Sequence, residues 1–519
     1  MDAASTEERI AKLEHTVAEY QKLIRLLQEE NERLKRGLLG QKAERLPKND
    51  AQLSLSILGL MLGDSTSPAP DQTEPEAEQT IPEHTRRKSV RKPFSDEMPR
   101  VPIEIIPPEV RSEGLDAFEL IGTETREVVE RRSASTVVVQ LIYKKFVRKD
   151  RERNAPTEVL AAEAVELPIK RGLAGPGMLA DTIVRRWQDH QPLHRLEGIY
   201  AREGLELARS TICTWHEQLG ELVEPLVDAM FADALREPYL CVDATGVLVL
   251  AKDKCRDGHF WVLVAPEKHV LYGYSKKHNS DAVDALLGGY KGYLVADAHA
   301  VYDHLYTDGE VIEVGCWAHA RRYFYKALAS DPERAKVALA HIGALFRIER
   351  SIADAPRKKK EQVRRTKSRP IVDKFFEWCA TEAPLVLDET PMAAGFTYAR
   401  NQRIALRRFL DDGRLPMHNN ISELNLRRQV LGRRNWLFVG SDDGGITNAR
   451  FVSLLASARL HGVEPLSYIR DLFCLLPSWP KSRVLELAPA YWKKTLQQRE
   501  TQEQLAANVF RRVLLSPTS

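Results

Sequence analysis

Residues 238–251 read PYLCVDATGVLVLA, and this stretch decides the fold class. It is an apolar, β-branched run carrying one carboxylate, Asp243, directly after Tyr239 to Val242. Three runs of related texture follow: HFWVLVAPEKHVLYGYS (259–275), GYLVADAHAVYDHLY (292–306) and VIEVGCWAHARRYFYKAL (311–328). All begin with strand-like alternation or short apolar blocks, and the last turns helical after Trp317. The pattern predicts the strand-rich start of an α/β domain. Asp297 follows Tyr293 to Ala296 just as Asp243 follows its own run. A carboxylate at the end of a buried strand is desolvated unless it is paired or metal-bound. Singly, each reads as a cap or turn residue. In matching positions on neighbouring strands, the two would offer hard oxygen ligands to shared divalent cations, a donor set suited to Mg²⁺.

Working outward towards the C-terminus, residues 415–445 read LPMHNNISELNLRRQVLGRRNWLFVGSDDGG. The spacing predicts a helix capped around Asn419 or Asn420, with Glu423 in its first turns and Arg427 one turn further on. A Glu–Arg surface pair of this kind contributes little to stability. The density of Asn, Arg and Gly around Glu423 suits phosphate and backbone contacts better than a core. Between Asp297 and Glu423 the chain is too long for a simple loop, and RAKVALAHIGALFRIERSI (334–352) has helical texture. A basic run, RKKKEQVRRTKSR (357–369), supplies Lys358, Lys359 and Lys360 as candidates for sequence-independent phosphate contacts, against the alternative of a solvated face.

Towards the N-terminus, GPGMLADTIVRRWQDH (175–190) predicts a helix opening at Gly175 and Pro176. Two further helices flank a turn around Gly204, the second, STICTWHEQL, N-capped at Ser210 or Thr211. That spacing fits a helix-turn-helix, and equally a helical hairpin with no DNA contact. Residues 118–147, FELIGTETREVVERRSASTVVVQLIYKKFV, read as a small antiparallel β unit. Upstream lies a proline-rich, charged linker, acidic in its first half and basic at Arg86, Arg87, Lys88, Arg91 and Lys92. Ile10, Val17, Ile24, Asn31 and Leu38 recur every seventh residue, with Leu13, Tyr20, Leu27 and Leu34 between them. This is an a/d seam, and its residue types favour a parallel two-stranded coiled coil.

Composition narrows the class. The 519 residues are 43% hydrophobic, enough for a sizeable core, and no run approaches the ~20 apolar residues of a membrane helix. The N-terminus lacks a signal sequence, so a cytoplasmic protein with no membrane partner is expected. Six scattered cysteines with no CxxC pair exclude a disulfide scaffold and a zinc ribbon. A formal charge of +3, from 76 basic and 73 acidic residues, does not by itself assign a nucleic-acid partner.

The sequence resembles transposases of the insertion sequence 66 family over most of its length. The resemblance rests on GQKAERLPKNDAQLSL, PLHRLEGIYAREGLELARSTICTWHEQL, VDATGVLVL, VADAHAVYDHL, CWAHARRYFYKAL, RIERSIADAP, ARNQRIALRRFLDDGRLPMHNNISELNLRR and LGRRNWLFVGSDDGG, in that order. It implies an α/β ribonuclease H-like catalytic core with a helical insertion, and a DDE triad formed by Asp243, Asp297 and Glu423. These three would be both the catalytic residues and the ligands of two Mg²⁺ ions, with Mn²⁺ as a substitute. The activity implied is metal-dependent DNA strand cleavage and strand transfer at the ends of a bacterial mobile element. Arg321 and Arg322 are candidates for DNA phosphate contacts, and Arg427, Arg428, Arg433 and Arg434, with Trp436, would flank the scissile phosphate. Partners would be double-stranded DNA at element ends and target, a second copy of the chain through the coiled coil, and accessory proteins of the same element, with the protein nucleoid-associated when bound.

The organisation expected is a coiled-coil zipper at 1–40, a linker at 41–110, a β-rich module at 111–170 and a helix-turn-helix region at 171–232. The catalytic core follows at 233–328, interrupted by a helical insertion at 329–412, and resumes with the glutamate at 413–475 before a tail at 476–519. Two features depart from the family pattern. The β-rich module stands where the family carries zinc-binding CxxC pairs, so no zinc is expected; Cys316 and His319 alone cannot fill a tetrahedral site. Where the family has Asp-Asn-Asn before the glutamate, this chain has His418-Asn419-Asn420. The competing readings are a catalytically inactive dimeric DNA-binding protein and a ribonuclease H-like nuclease that cuts without joining.

Overall fold

The computed structural model describes residues 94, 98–132, 135–149, 159–252 and 254–511. The expected coiled coil, most of the linker and its basic end lie outside the described residues. Two compact units divide the chain. The described residues of the larger fall within Phe94–Arg322, His341–Glu377 and Tyr398–Ser519, and those of the smaller within Tyr323–Ala340 and Trp378–Thr397.

In the larger unit a first sheet comprises β1 (Arg100–Ile105), β2 (Phe118–Arg132), β3 (Ser135–Arg148) and the short β4 (Leu160–Ala161). β2 and β3 run antiparallel, β1 lies parallel to β3 on its other side, and β4 pairs with β3. Val128, Val137, Val139 and Leu141 form its core with Leu167 and Phe510. β1 falls in residues expected to be linker. Val101, Ile103 and Ile105 alternate and pack on that core, while Pro102 is tolerated because β1 is an edge strand. The prolines that suggested a linker hid this alternation.

A one-turn helix, α1 (Pro108–Glu113), precedes β2. After the sheet come α2 (Pro176–Ile183), α3 (Leu193–Arg202) and the long α4 (Arg209–Ala234). α2 begins at the expected proline, and its buried start is met by a residue of β2. Glu130 Oε1 accepts hydrogen bonds from the Met178 amide of α2 at 2.8 Å and from the neighbouring Arg131 amide at 2.7 Å. A Cβ on Gly175 or Gly177 would collide with that carboxylate, which accounts for both glycines. The turn after α3 places Gly204 at φ +82°. α4 is capped at Ala208, so Ser210 and Thr211 sit inside its first turn and not at the cap. Ala208 already has extended geometry, which starts the helix two residues earlier than the hydroxyl signal suggested.

The second sheet holds β5 (Tyr239–Val249), β6 (Arg256–Ala265), β7 (His269–Ser275), β8 (Gly292–Val295), β9 (Val311–Val314) and the two-residue β10 (Phe438–Val439). Its order is β7-β6-β5-β8-β9, with β10 also on β5. β5, β6 and β7 form an antiparallel meander, whereas β8 and β9 add in parallel on the other side of β5. β6 is buried almost throughout, as a central strand must be. α5 (Ser280–Leu287), capped by the Asn279 side chain, crosses between β7 and β8. α6 (Trp317–Lys326) follows β9. The chain then continues through α7 (Pro332–Ser351), α8 (Arg357–Val363), α9 (Arg369–Glu382) and α10 (Pro391–Asn401). Trp317 anchors this helical stretch within the larger unit: its ring meets those of Phe375, Phe376 and Phe409, and its Nε1 donates to the Leu406 carbonyl at 2.8 Å.

The chain returns to the sheet with α11 (Asn420–Trp436), β10 and α12 (Asp442–Leu460), the last capped by Ser441. α12 packs on β7 through hydroxyls: Ser453 and Ser457 accept hydrogen bonds from the Tyr272 and Val270 amides at 2.7 and 3.0 Å. α13 (Pro465–Leu475), α14 (Pro489–Thr495) and α15 (Arg499–Ala507) complete it. Asp233 at the end of α4 gathers Lys268, His269 and Tyr491, which fastens the C-terminal helices to the start of β7. In the smaller unit Phe324, Trp378 and Phe396 form an aromatic cluster, and Arg334 bridges Asp331 and Glu382. Among the described residues no helix is long and apolar enough to cross a membrane.

Candidate active site

β5 and β8 run in parallel, with Tyr239 opposite Tyr293 and Cys241 opposite Val295. β8 ends at Val295, and Asp297 lies two residues beyond it, as Asp243 lies two residues beyond Cys241 on β5. Both carboxylates are half-buried. Burial raises the Asp243 carboxyl to about 7, and the negative charges of Asp297 and Glu423 add to the shift. The Ala244 amide, which donates to Asp243 Oδ1 at 2.8 Å, and the Arg322 guanidinium act in the opposite direction. Asp243 is therefore a desolvated acid facing two other acids, an arrangement that favours a bound cation.

Glu423 reaches this neighbourhood because the start of α11 is pinned to β5. Asn419, fully buried, is the cap residue of α11, yet its side chain makes no capping bond. Its Nδ2 donates instead to the carbonyl of Val242, next to Asp243, at 2.7 Å, and its own amide donates to Cys316 Sγ at 3.2 Å. His418 stacks on Phe346 with centroids 5.5 Å apart, and its Nδ1 accepts from the Asn420 amide at 3.4 Å. The imidazole thus holds the turn before the glutamate, where the family has an aspartate.

The CWAH segment serves α11 from the other side. Cys316 holds its first amide, and His319 Nε2 lies 3.7 Å from Glu423 Oε1. Burial, with Arg322 close by, lowers the His319 pKa. Arg322 binds the same oxygen at 2.8 Å. Among the described residues no group of three or more His, Cys, Asp or Glu side chains is arranged to hold a metal ion. Glu423 is engaged by the Arg322 guanidinium. The donor chemistry nevertheless fits a hard divalent cation, since all three candidate ligands are carboxylates and one of them is destabilised by the other two.

The other candidates divide. Arg427 and Arg434 are exposed on α11, as is Arg321 on α6. Arg428 is half-buried and donates to Gln188 Oε1 at 3.0 Å. Arg433 donates to Thr245 Oγ1 at 3.0 Å and to the Gly246 carbonyl, bracing β5 two residues past Asp243. Trp436 does not face outward as expected: it is buried, with the Arg186 guanidinium 5.6 Å from its ring centre. Lys358 and Lys359 are exposed and Lys360 half-buried on a separate helix, α8. Part of that basic run is structural. Arg364 is buried, pairs with Glu349 at 2.6 Å and donates to the carbonyls of Phe409 and Asp412.

Some members of the site carried no sequence signal. Tyr302 is fully buried within the field of Asp243 and Asp297, which together with burial push its phenol far above the usual range. His278 stacks on Trp261 at 4.8 Å and meets His299 edge-on at 4.6 Å, within the electrostatic reach of Asp297. These residues come from separate elements, and only the sheet topology assembles them.

Comparison with known proteins identifies the family. A profile described as the transposase IS66 family matches residues 171–447, which include all three carboxylates. The chain belongs to the IS66 family of transposases. Two further profiles match, "Transposase C of IS166 homeodomain" over residues 26–103 and "IS66 C-terminal element" over 453–490. Among relatives of this IS66 transposase are two proteins of Sinorhizobium fredii (strain NBRC 101917 / NGR234). Uncharacterized protein y4hP is 27% identical over 489 residues, covering 89% of this chain and 88% of its own. Uncharacterized protein y4qI is 30% identical over 424 residues, covering 78% of this chain and 77% of its own.

Proposed function

We propose that this IS66 transposase binds the ends of its element and performs cleavage and strand transfer at a DDE centre made of Asp243, Asp297 and Glu423. The observation that carries the reading is that Asp243 on β5 feels the charges of both Asp297, two residues past the end of β8, and Glu423, whose helix is tied to β5 by the Asn419–Val242 hydrogen bond. The strand order, an antiparallel meander extended in parallel from its first strand, supports a ribonuclease H-like core.

Asp243, Asp297 and Glu423 would hold two Mg²⁺ ions, which when bound lower the pKa of water or a 3′-hydroxyl and neutralise charge on the phosphate. The chain's own contribution is positional. β5 and β8 fix two of the carboxylates, and Asn419, Cys316 and His418 fix the start of the helix bearing the third. Arg433 keeps β5 straight past Asp243, while Arg321, Arg427 and Arg434 supply exposed cations for phosphates on either side. Hydrolysis of one phosphodiester frees a 3′-hydroxyl, which then attacks a second phosphodiester, so one P–O bond replaces another and no covalent enzyme intermediate forms. Arg322 neutralises Glu423 before cations and DNA arrive and then becomes available to a phosphate.

DNA recognition is assigned to the homeodomain-like region and to the α3–α4 hairpin, and association to the N-terminal seam of seven-residue periodicity. Retention of all three carboxylates argues against a binding protein that has lost catalysis. Asp243→Asn, Asp297→Asn and Glu423→Gln should each abolish Mg²⁺-dependent cleavage while leaving a gel-shift of the element ends in place. Undiminished cleavage in any one variant removes that residue from the centre.

A further inference from the structure

The segment following Arg433 and Arg434 carries an apolar tip that neither catalysis nor the core uses. α11 ends at Leu437, a branched residue with φ +62° and ψ −50°, whose amide donates to the Arg433 carbonyl at 2.8 Å. Positive φ at a bulky residue is a backbone outlier, and such outliers point to a use for the side chain they display. Leu437 is 65% exposed. Phe438, next in the chain and 40% exposed, lies opposite Leu248 of β5 in register, and the exposed Leu250, just past the end of β5, donates its amide to the Val439 carbonyl at 2.8 Å. On the opposite face Val439 and Val249 are buried. Leu437, Phe438, Leu248 and Leu250 are thus four exposed apolar side chains where the C-terminal end of α11 and β10 meet the end of β5.

Its surroundings carry both signs of charge, with cations the more numerous. Arg434 and, two turns earlier, Arg427 are exposed on α11, and Lys252 and Lys254 are exposed where the chain leaves β5, while exposed Asp257 pairs with Leu248 in register and Asp443 follows β10. Apolar side chains among cations suit a duplex, whose phosphates meet the cations while a leucine or phenylalanine enters between two base pairs. We propose that Leu437 and Phe438 form a wedge that inserts into element-end DNA and unstacks one base step about 20 Å along the duplex from the scissile phosphate, the length of α11 between Glu423 and the tip. Trp436, buried against Arg186, is the fixed base from which the tip projects. This inference rests on the reading of the chain as a DNA-cutting transposase. Opening a step at that distance would let the duplex bend so that its end reaches the carboxylate centre, and the energy of unstacking would be recovered from phosphate contacts.

The test uses full-length protein carrying Glu423→Gln, in EDTA, so that neither catalysis nor metal loading enters. Duplexes with the native flanks of its gene carry 2-aminopurine at successive positions. The wedge predicts that fluorescence rises several-fold at one step near the terminus. Adding Leu437→Gly, which relieves the positive φ, together with Phe438→Ala should remove that rise while retaining the gel-shift. In the catalytically intact background the same pair should lose most cleavage of paired ends and recover it on ends with an unpaired base at that step. Binding with no bright position, or with brightening unchanged in the double variant, overturns the wedge alone. Failure to bind any duplex overturns the DNA reading and the wedge with it. A drop in sedimentation mass caused by the double variant would assign the surface to contact between copies and overturn the wedge.

Discussion

Asp243 concentrates the electrostatic tension of the site. Burial and two neighbouring carboxylates hold its carboxyl near 7, so without metal its ionised form is disfavoured in the fold. Asp243→Asn removes that charge and should stabilise the metal-free protein at pH 8 by about 1–3 kcal/mol. Thermal denaturation in EDTA measures this, and a lowered midpoint would contradict it. Added Mg²⁺ should raise the midpoint of the parent chain more than that of the variant. Which residues mattered chemically was legible in the sequence: the two aspartates after apolar runs and the glutamate among asparagines and arginines. How they are held was not. Asn419 reads as a cap and instead bonds to Val242, and nothing in CWAHARR announces that Arg322 lies on Glu423. Both contacts join residues more than a hundred positions apart.

Local signals located the start of α2 well because it is written in proline. They failed at β1, where prolines hid the alternation of Val101, Ile103 and Ile105, and at α4, where two hydroxyls suggested a cap two residues late. The junction of β2 and α2 was invisible for another reason: Glu130 is a charged residue in a strand, yet it is buried. Burial raises its carboxyl to about 8 despite the amides that bind it. Between its ordinary value near 4.5 and 8, the folded chain keeps a proton that the unfolded chain has lost, so stability falls as pH rises through this window. Glu130→Gln keeps the acceptor for both amides and removes the titration. Its melting temperature should match that of the parent near pH 5 and exceed it at pH 8.5, by about 1–3 kcal/mol in stability. A parent chain more stable than the variant at both values would contradict the placement of a protonated acid there.

At the scale of the molecule, the near balance of 76 basic and 73 acidic residues conceals how charge is distributed. Part of the basic excess between Arg357 and Arg369 is consumed internally by Glu349, Glu361 and Asp411. The exposed cations of α11 stand on the helix that bears Glu423, which is where a phosphate-handling site needs them. Association is assigned to residues 1–40 on periodicity alone. Their deletion should lower the sedimentation-equilibrium mass by at least half, and an unchanged mass would remove the zipper from the account. The central claim is that Asp243, Asp297 and Glu423 act as one centre that cuts and joins DNA. Its most direct test incubates the purified protein with Mg²⁺ and DNA carrying the flanks of its own gene, alongside Glu423→Gln and with accessory proteins of the element supplied. The account predicts cleaved and joined products that disappear in the variant while DNA binding persists. Binding without cleavage in the parent chain, or equal products from both proteins, would contradict it.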